Sequence, residues 1–276
     1  MALFMRFKNL FVADPGNAAA RTAAVRLPLF DDVHPVVSVV IPAYNEERLI
    51  ELPLRSLAVQ DFSEPFEVIV VDNDSSDRTA EIAKSFGATV ISEPRRGVGQ
   101  ARETGFRASR AGIIATTDAD TVMPPNWLRT IVSRYEKDAK LFAFGGFPRH
   151  HSLPMAQRFI LNLSFGPILF FDRFVTGGSM LGYNMSVRRE AFEAVGGFNT
   201  ELRAGEDADL AIRINKIGKI ILDPRCVVFT SGRRFAAQGL LGAAVFYFYV
   251  AVARLWLKKA NEIDLPTIRD ENDTKK

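Results

Sequence analysis

The chain has 276 residues, 47% of them hydrophobic, and 35 Lys and Arg against 32 Asp and Glu give a formal net charge of +3. That length and apolar content suit one large α/β domain or two small ones, and the lack of a basic stripe with interleaved aromatics excludes a nucleic-acid binder. The single cysteine, Cys226, excludes an internal disulfide and reads as a buried free thiol in a reducing compartment.

Met1 to His34 reads as an arm. Arg6 and Lys8 interrupt its apolar residues, so it is not a secretory signal; it is either a short amphipathic helix at a membrane surface or an unordered terminus. Val36-Val-Ser-Val-Val-Ile41 is a continuous β-branched run that ends at Pro42, as a strand buried on both faces would. Glu47 to Leu57 has helical spacing. Phe66 to Val71 is a second buried strand closing on Asp72-Asn-Asp-Ser-Ser-Asp77, and Ser75 or Ser76 is expected to cap a helix from Thr79 to Phe86. Ala88 to Ile91 is a third strand. A basic glycine-bearing loop, Glu93-Pro-Arg-Arg-Gly-Val-Gly99, then leads into a helix ending near Ser109.

Ile113-Ile-Ala-Thr-Thr-Asp-Ala-Asp120 follows, an apolar run ending in two carboxylates. Residues i and i+2 share a face of a strand, so Asp118 and Asp120 are expected to leave a sheet edge together. Like charges so close need something positive between them, and a divalent cation with oxygen ligands suits them. A lone D-x-D is also an ordinary turn. Trp127, Leu128, Ile131, Val132 and Tyr135 mark the next helix.

The second half is less regular. Strands are expected at Leu141–Gly146 and Gly182–Val187, and around Ile220 and Val227. Helices are expected at Arg188–Val195 and Glu206–Ile217. His150 and His151 read as bystanders rather than metal ligands. Strand and helix alternate as in a doubly wound, mostly parallel sheet with helices on both faces. Such a sheet binds ligands outside the carboxyl ends of its strands. Tyr44-Asn45-Glu46, Asp72 to Asp77 and the pair Asp118 and Asp120 all fall at those ends, which argues for one shared site.

Five motifs occur in order: Val37-Ser-Val-Val-Ile-Pro-Ala-Tyr-Asn-Glu46, Val71-Asp-Asn-Asp-Ser-Ser-Asp77, Thr117-Asp-Ala-Asp120, Arg189 to Phe198 and Gly205-Glu-Asp-Ala-Asp-Leu210. Together they resemble a family 2 glycosyltransferase with the GT-A fold, over about Val36 to Arg234. The resemblance implies an inverting transfer of one sugar from a nucleotide-diphosphate sugar to an acceptor hydroxyl. It implies that Pro42, Tyr44, Glu46 and Asp72 hold the nucleoside. Asp118 and Asp120 would face the diphosphate and its Mg or Mn, and Asp207 would match the general base. The chain departs from the family pattern at Asn73, where a second Asp is frequent, and at Asp74, where Gly is frequent. The Q-x-x-R-W motif of processive synthases is missing, with Ser231-Gly-Arg-Arg-Phe235 in its region, which favours single-residue transfer.

The chemistry asks for phosphate contacts, and Arg95, Arg96, Arg102, Arg233 and Arg234 are the candidates, because guanidinium matches phosphate oxygens in bidentate geometry. It also asks for a base within reach of the acceptor. Asp207 opens a helix, where the dipole favours an ionised carboxylate; a mere capping role is the plainer alternative. The implied organisation is an arm (1–34), a GT-A domain (35–234, with a donor half 35–145 and an acceptor half 146–234) and a C-terminal apolar helix with a polar tail (235–276). Phe235 to Ala253 carries no charge and is followed by Arg254, Trp256, Lys258 and Lys259, as at a cytoplasmic membrane interface. With the charge-free Phe159 to Phe171 stretch, it points to a peripheral or monotopic enzyme whose acceptor is a glycan or lipid-linked saccharide. A soluble cytoplasmic protein, transfer to a polyprenyl phosphate, and an inactive nucleotide-sugar-binding partner subunit are the alternatives.

Overall fold

The computed structural model describes residues 26–28, 33–151 and 180–233, and positions 153–155, 157, 159, 235 and 239. The expected membrane contacts at Phe159–Phe171 and 235–253 lie almost wholly outside the described residues, as does most of the arm. Of the arm, Leu27 is buried, and its N–H donates to the Phe86 carbonyl at 2.9 Å.

The first half alternates as its pattern requires: β1 (Val37–Ala43), α1 (Glu51–Ala58), β2 (Phe66–Asp72), α2 (Thr79–Ser85), β3 (Thr89–Ser92), α3 (Val98–Ala108) and β4 (Ile113–Thr116). β5 (Thr121–Val122), α4 (Trp127–Lys137), β6 (Leu141–His151), β7 (Met185–Arg188), α5 (Arg189–Ala194), α6 (Glu206–Asn215) and β8 (Lys219–Ser231) follow. They form an eight-stranded sheet in the order β3-β2-β1-β4-β7-β6-β8-β5. β1 to β4 are mutually parallel, β7 runs against both β4 and β6, β6 and β8 are parallel, and β5 is antiparallel to β8. β6 runs without a break across the expected seam between 145 and 146.

Both faces of the parallel strands are covered, which is why they read as unbroken apolar runs. Val37, Val39, Ile41, Val68 and Val70 pack with Leu54, Leu57, Trp127, Leu128 and Ile131 of α1 and α4. Val40, Ile69, Val71 and Ile114 pack on the other face with Ala101 and Phe106 of α3, Phe192 of α5 and Leu210 and Ile214 of α6. Pro42 lies in a central strand without disrupting it, because β4 pairs only with Val37–Val40 and the carbonyl of Val40 already accepts from Thr117.

Several expectations are corrected. β4, an interior strand, ends at Thr116, ahead of both carboxylates. Asp118 and Asp120 therefore sit on a turn, closed by the Thr121 N–H on the Asp118 carbonyl at 3.2 Å, and strand alternation does not govern them. Neither Ser75 nor Ser76 caps α2; Asp77 Oδ1 accepts the Thr79 N–H at 2.9 Å, while Ser75 Oγ accepts the Asn45 N–H. The strands expected near Ile220 and Val227 are one strand, because the register against β6 shifts after Asp223 and pairing resumes at Val227. Gly182–Asn184 is a 3-10 turn that precedes β7 rather than part of it.

α3 lies close on the sheet because Gly105 has no side chain: a Cβ there would stand 2.4 Å from Val40 Cγ1 and 2.9 Å from Val71 Cγ2. Gly105→Ala is expected to destabilise the fold by about 1–3 kcal/mol through overpacking, read as a lowered midpoint in urea unfolding. An unchanged midpoint would mean that α3 is not seated so tightly.

Candidate active site

The carboxyl ends of β1, β2 and β4 open on one rim, and three loops are tied together there. After β1 the backbone turns at Asn45 (φ 52°); Asn45 Oδ1 accepts the Ser76 N–H at 2.8 Å, and Thr79 Oγ1 accepts the Glu46 N–H at 2.8 Å. After β2, Asp72 Oδ1 accepts the Ser75 N–H at 3.3 Å. Asp74 stands at φ 66°, a left-handed position that glycine fills freely and Asp tolerates. The departure from the family pattern there is therefore a tolerated one.

Asn73 has a structural task that the sequence did not reveal. Its side-chain amide donates to the carbonyls of Glu93 and Arg95 at 2.9 and 2.8 Å, and its Oδ1 accepts the Gly97 N–H at 2.8 Å. An Asp at this position could not donate to those carbonyls. Asn73 thus shapes the basic loop, which presents Arg95 and Arg96. Arg95 pairs with buried Glu93 at 3.0 Å, and hydrogen bonds from Arg95 and Thr104 pull Glu93 down to about 2. Arg96 pairs with Asp74 at 2.8 Å, and its guanidinium lies 4.5 Å from the centre of the Tyr44 ring.

Each carboxylate of the Asp118 and Asp120 pair faces its own arginine. Asp118, half-exposed, accepts from Arg102 at 2.8 Å. Asp120, buried, pairs with Arg233 Nε at 3.1 Å. Arg233, just past β8, also makes a two-pronged pair with Glu46. β5 makes this possible: Thr121 pairs with Thr230, their hydroxyls are 3.0 Å apart, and Thr230 Oγ1 donates to Asp120 Oδ1 at 3.3 Å. This two-residue strand carries no periodicity, so sequence reasoning missed it. Burial pushes Asp120 up to about 6; Arg233 pulls it down, and the negative charges of Asp118 and Glu46 push it further up.

Asp207 lies in the first turn of α6, after Gly205 in a left-handed conformation (φ 74°). Its Oδ2 accepts the Gly182 N–H at 2.8 Å and its Oδ1 the Ala208 N–H at 2.7 Å. The preceding Glu206 is buried and pairs with Arg102; burial pushes its carboxyl up, against the pull of Arg102. The rim thus gathers Glu46, Asp118, Asp120, Arg233, Glu206 and Asp207. Tyr44, Asp72, Arg95 and Arg96 border it, while Arg102 lies beneath. Arg234 is outside the described residues. His150 is buried in β6, its ring edge-on to Phe235 at 5.0 Å.

A divalent cation fits this donor set in one way. Among the described residues no group of three or more His, Cys, Asp or Glu could hold a metal alone. Asp118 and Asp120 offer carboxylate oxygens, the ligand type of a hard cation, with Arg102 on Asp118 and Arg233 on Asp120 as the cations present beside them.

The profile of the family described as "Glycosyl transferase family 2" matches residues 38–196. The chain belongs to this family. Among curated proteins, the probable glycosyltransferase YdaM of Bacillus subtilis is 30% identical over 204 residues, 67% of this chain and 47% of that protein. Glycosyltransferase AglE of Haloferax volcanii is 30% identical over 193 residues, 67% of this chain and 62% of that protein. The chain therefore covers between about half and two thirds of the length of these relatives. Among solved structures, the mannosyltransferase PcManGT from Pyrobaculum calidifontis, in complex with GDP-Man and Mn2+, superposes with a TM-score of 0.63 at 22% identity over 96% of this chain and 73% of that one. S. aureus TarS 1–349 in complex with UDP-GlcNAc gives 0.55 at 19% identity over 71% and 58%. These neighbours establish the GT-A fold.

The pressure on Asp120 has a measurable consequence. Its carboxyl holds a proton up to about pH 6 in the fold, against 3.8 for an ordinary Asp. At this position the folded chain therefore binds more protons than the unfolded one between those values, and the contribution of Asp120 to stability falls as pH rises through that window, opposite in sign to that of Glu93. In metal-free buffer, the melting temperature of Asp120→Asn is expected to rise relative to that of the parent chain from about pH 4 to pH 6. Parallel profiles for the variant and the parent chain would show that Asp120 is not under this strain.

Proposed function

We propose that the protein is an inverting glycosyltransferase that moves one sugar from a nucleotide-diphosphate sugar to an acceptor hydroxyl. The observation that carries this reading is that Asp207, at the start of α6, shares a cluster with Asp118 through Arg102 and Glu206. This shared cluster supports reading Asp207 as the base for the acceptor and Asp118 as a carboxylate on the donor side. Family membership and neighbours bound to GDP-Man with Mn2+ or to UDP-GlcNAc add support for the donor class.

Pro42, Tyr44, Glu46 and Asp72 line the nucleoside end. Asp118 and Asp120 would hold Mg or Mn, which supplies Lewis-acid stabilisation of the departing diphosphate. Arg95 and Arg233, with Arg234 beyond the described residues, are the candidate phosphate contacts. An acceptor hydroxyl is a weak nucleophile, so Asp207 takes its proton as it attacks the face opposite the leaving group. A phosphate acceptor is already ionised and needs little such help, so a carboxylate at the base position favours a hydroxyl.

The test is a panel of nucleotide sugars with and without Mn, read by thermal shift and then by turnover. One donor is expected to stabilise the protein in a Mn-dependent way. Asp207→Asn should cut turnover with that donor by at least about 100-fold while donor binding survives; near-normal turnover would remove Asp207 from the base role.

We also propose a lipid-linked or membrane-borne acceptor at the cytoplasmic membrane face, on the charge-free sequences Phe159–Phe171 and Phe235–Ala253. Among the described residues no helix is long and apolar enough to cross a membrane; the contact proposed here, on the sequence alone, is a peripheral or monotopic one. Co-sedimentation of the full chain with anionic phospholipid vesicles is expected. A protein left wholly in the supernatant at low salt would end this part of the proposal.

A further inference from the structure

Arg102 was expected to touch donor phosphate, yet its side chain is only 4% exposed. Nη2 donates to Asp118 Oδ1 at 2.8 Å, Nη1 donates to Glu206 Oε1, and Nε has no partner. Burial opposes its charge, but Glu206, Asp118 and Asp207 outweigh that, so the guanidinium is held more firmly protonated than usual.

Such an arrangement is poorly explained by stability. A buried ion pair is often no better for folding than well-packed apolar residues of similar volume. Its geometry is more telling, because the planar fork of an arginine fixes two partners at a set separation, which a lysine cannot do. One partner belongs to the turn that carries the donor-side carboxylates. The other opens α6, next to Asp207.

Two glycines complete the arrangement. A Cβ on Gly182 would stand 2.3–2.5 Å from Nη1, Nη2 and Cζ of Arg102, so only glycine lets the backbone lie against the guanidinium. The N–H of that same residue holds Asp207 Oδ2. A Cβ on Gly99, in the first turn of α3, would meet Glu206 Cβ and Cγ at 3.5 Å, an ordinary contact distance, so α3 packs beside the start of α6 with room to spare for a methyl group.

We infer that Arg102 is a positioning residue, resting on the glycosyl-transfer reading above: it sets the separation between the Asp118 carboxylate and the Asp207 carboxylate, and Gly182 is the backbone surface it works against. Reacting atoms must meet at about 3–3.5 Å, and a misplacement of about 1 Å costs on the order of 100-fold in rate. Arg102 therefore acts on turnover without touching the donor.

The test is the double variant Arg102→Met with Glu206→Leu, which replaces the buried pair by apolar side chains and leaves Asp118 to solvent. Its melting temperature is expected to match or exceed that of Arg102→Met alone, which strands Glu206. Its kcat should fall by about 100-fold with donor Kd, by titration calorimetry, within about threefold. Hydrogen exchange at the Gly182 amide should rise, since that bond depends on where Asp207 is held. Normal kcat would reduce the pair to a structural one, and a donor Kd weakened with kcat retained would make Arg102 a donor contact. Unchanged exchange at Gly182 would overturn the inference even without a turnover assay. The parallel Asp207→Asn measurement separates these outcomes: normal turnover there defeats the base assignment and leaves the exchange result to judge Arg102.

Discussion

Negative charge at the rim of the sheet is the constraint around which the site is built. Glu46, Asp118, Asp120, Glu206 and Asp207 come together where strands end, and Asp120 and Glu206 are buried. Carboxylates so placed repel one another and lose hydration. Arg102 and Arg233 answer this, each bridging two of them across different elements. The fold of the rim is thus an electrostatic balance, in which cations join segments far apart in the chain.

The two bridges differ in a way that suits different tasks. Arg102 is enclosed, with Gly182 backbone packed against it, so its partners are held at fixed places. Arg233 is partly exposed, follows the last residue of β8, and reaches both the β1 loop and Asp120. Asp120 keeps an elevated affinity for protons even with Arg233 beside it. A carboxylate in that condition gains from any further positive charge brought near it.

The sheet delivers these residues by changing direction. β1 to β4 run parallel and bring the loops after β1, β2 and β4 to one side. β7 reverses beside β4, so the turn at Gly182–Asn184 that enters β7 lies at the end where β4 exits. β8 then runs along β6, and its far end meets Thr121. Asp118 and the start of α6 become neighbours only through this mixed pairing.

The parallel half of the sheet is legible in the chain's local pattern. Val37–Ile41 and Phe66–Val71 are buried on both faces and so appear as continuous β-branched runs, and the amphipathic spacing of Trp127 to Tyr135 marks α4 equally well. That pattern also placed Tyr44, Glu46, Asp72, Asp118, Asp120 and Asp207 at element ends, where ordered motifs made them candidates. What each charge faces is set by the folded arrangement of distant segments. Arg102 pairs across 104 positions with Glu206, and Arg233 across 187 with Glu46; no local period encodes such contacts. The two-residue β5, the register shift in β8 and the bonds from Asn73 to the basic loop were hidden for the same reason. Each depends on a partner strand or loop distant in the chain, whereas hydrophobic periodicity reports only which face of an element is buried.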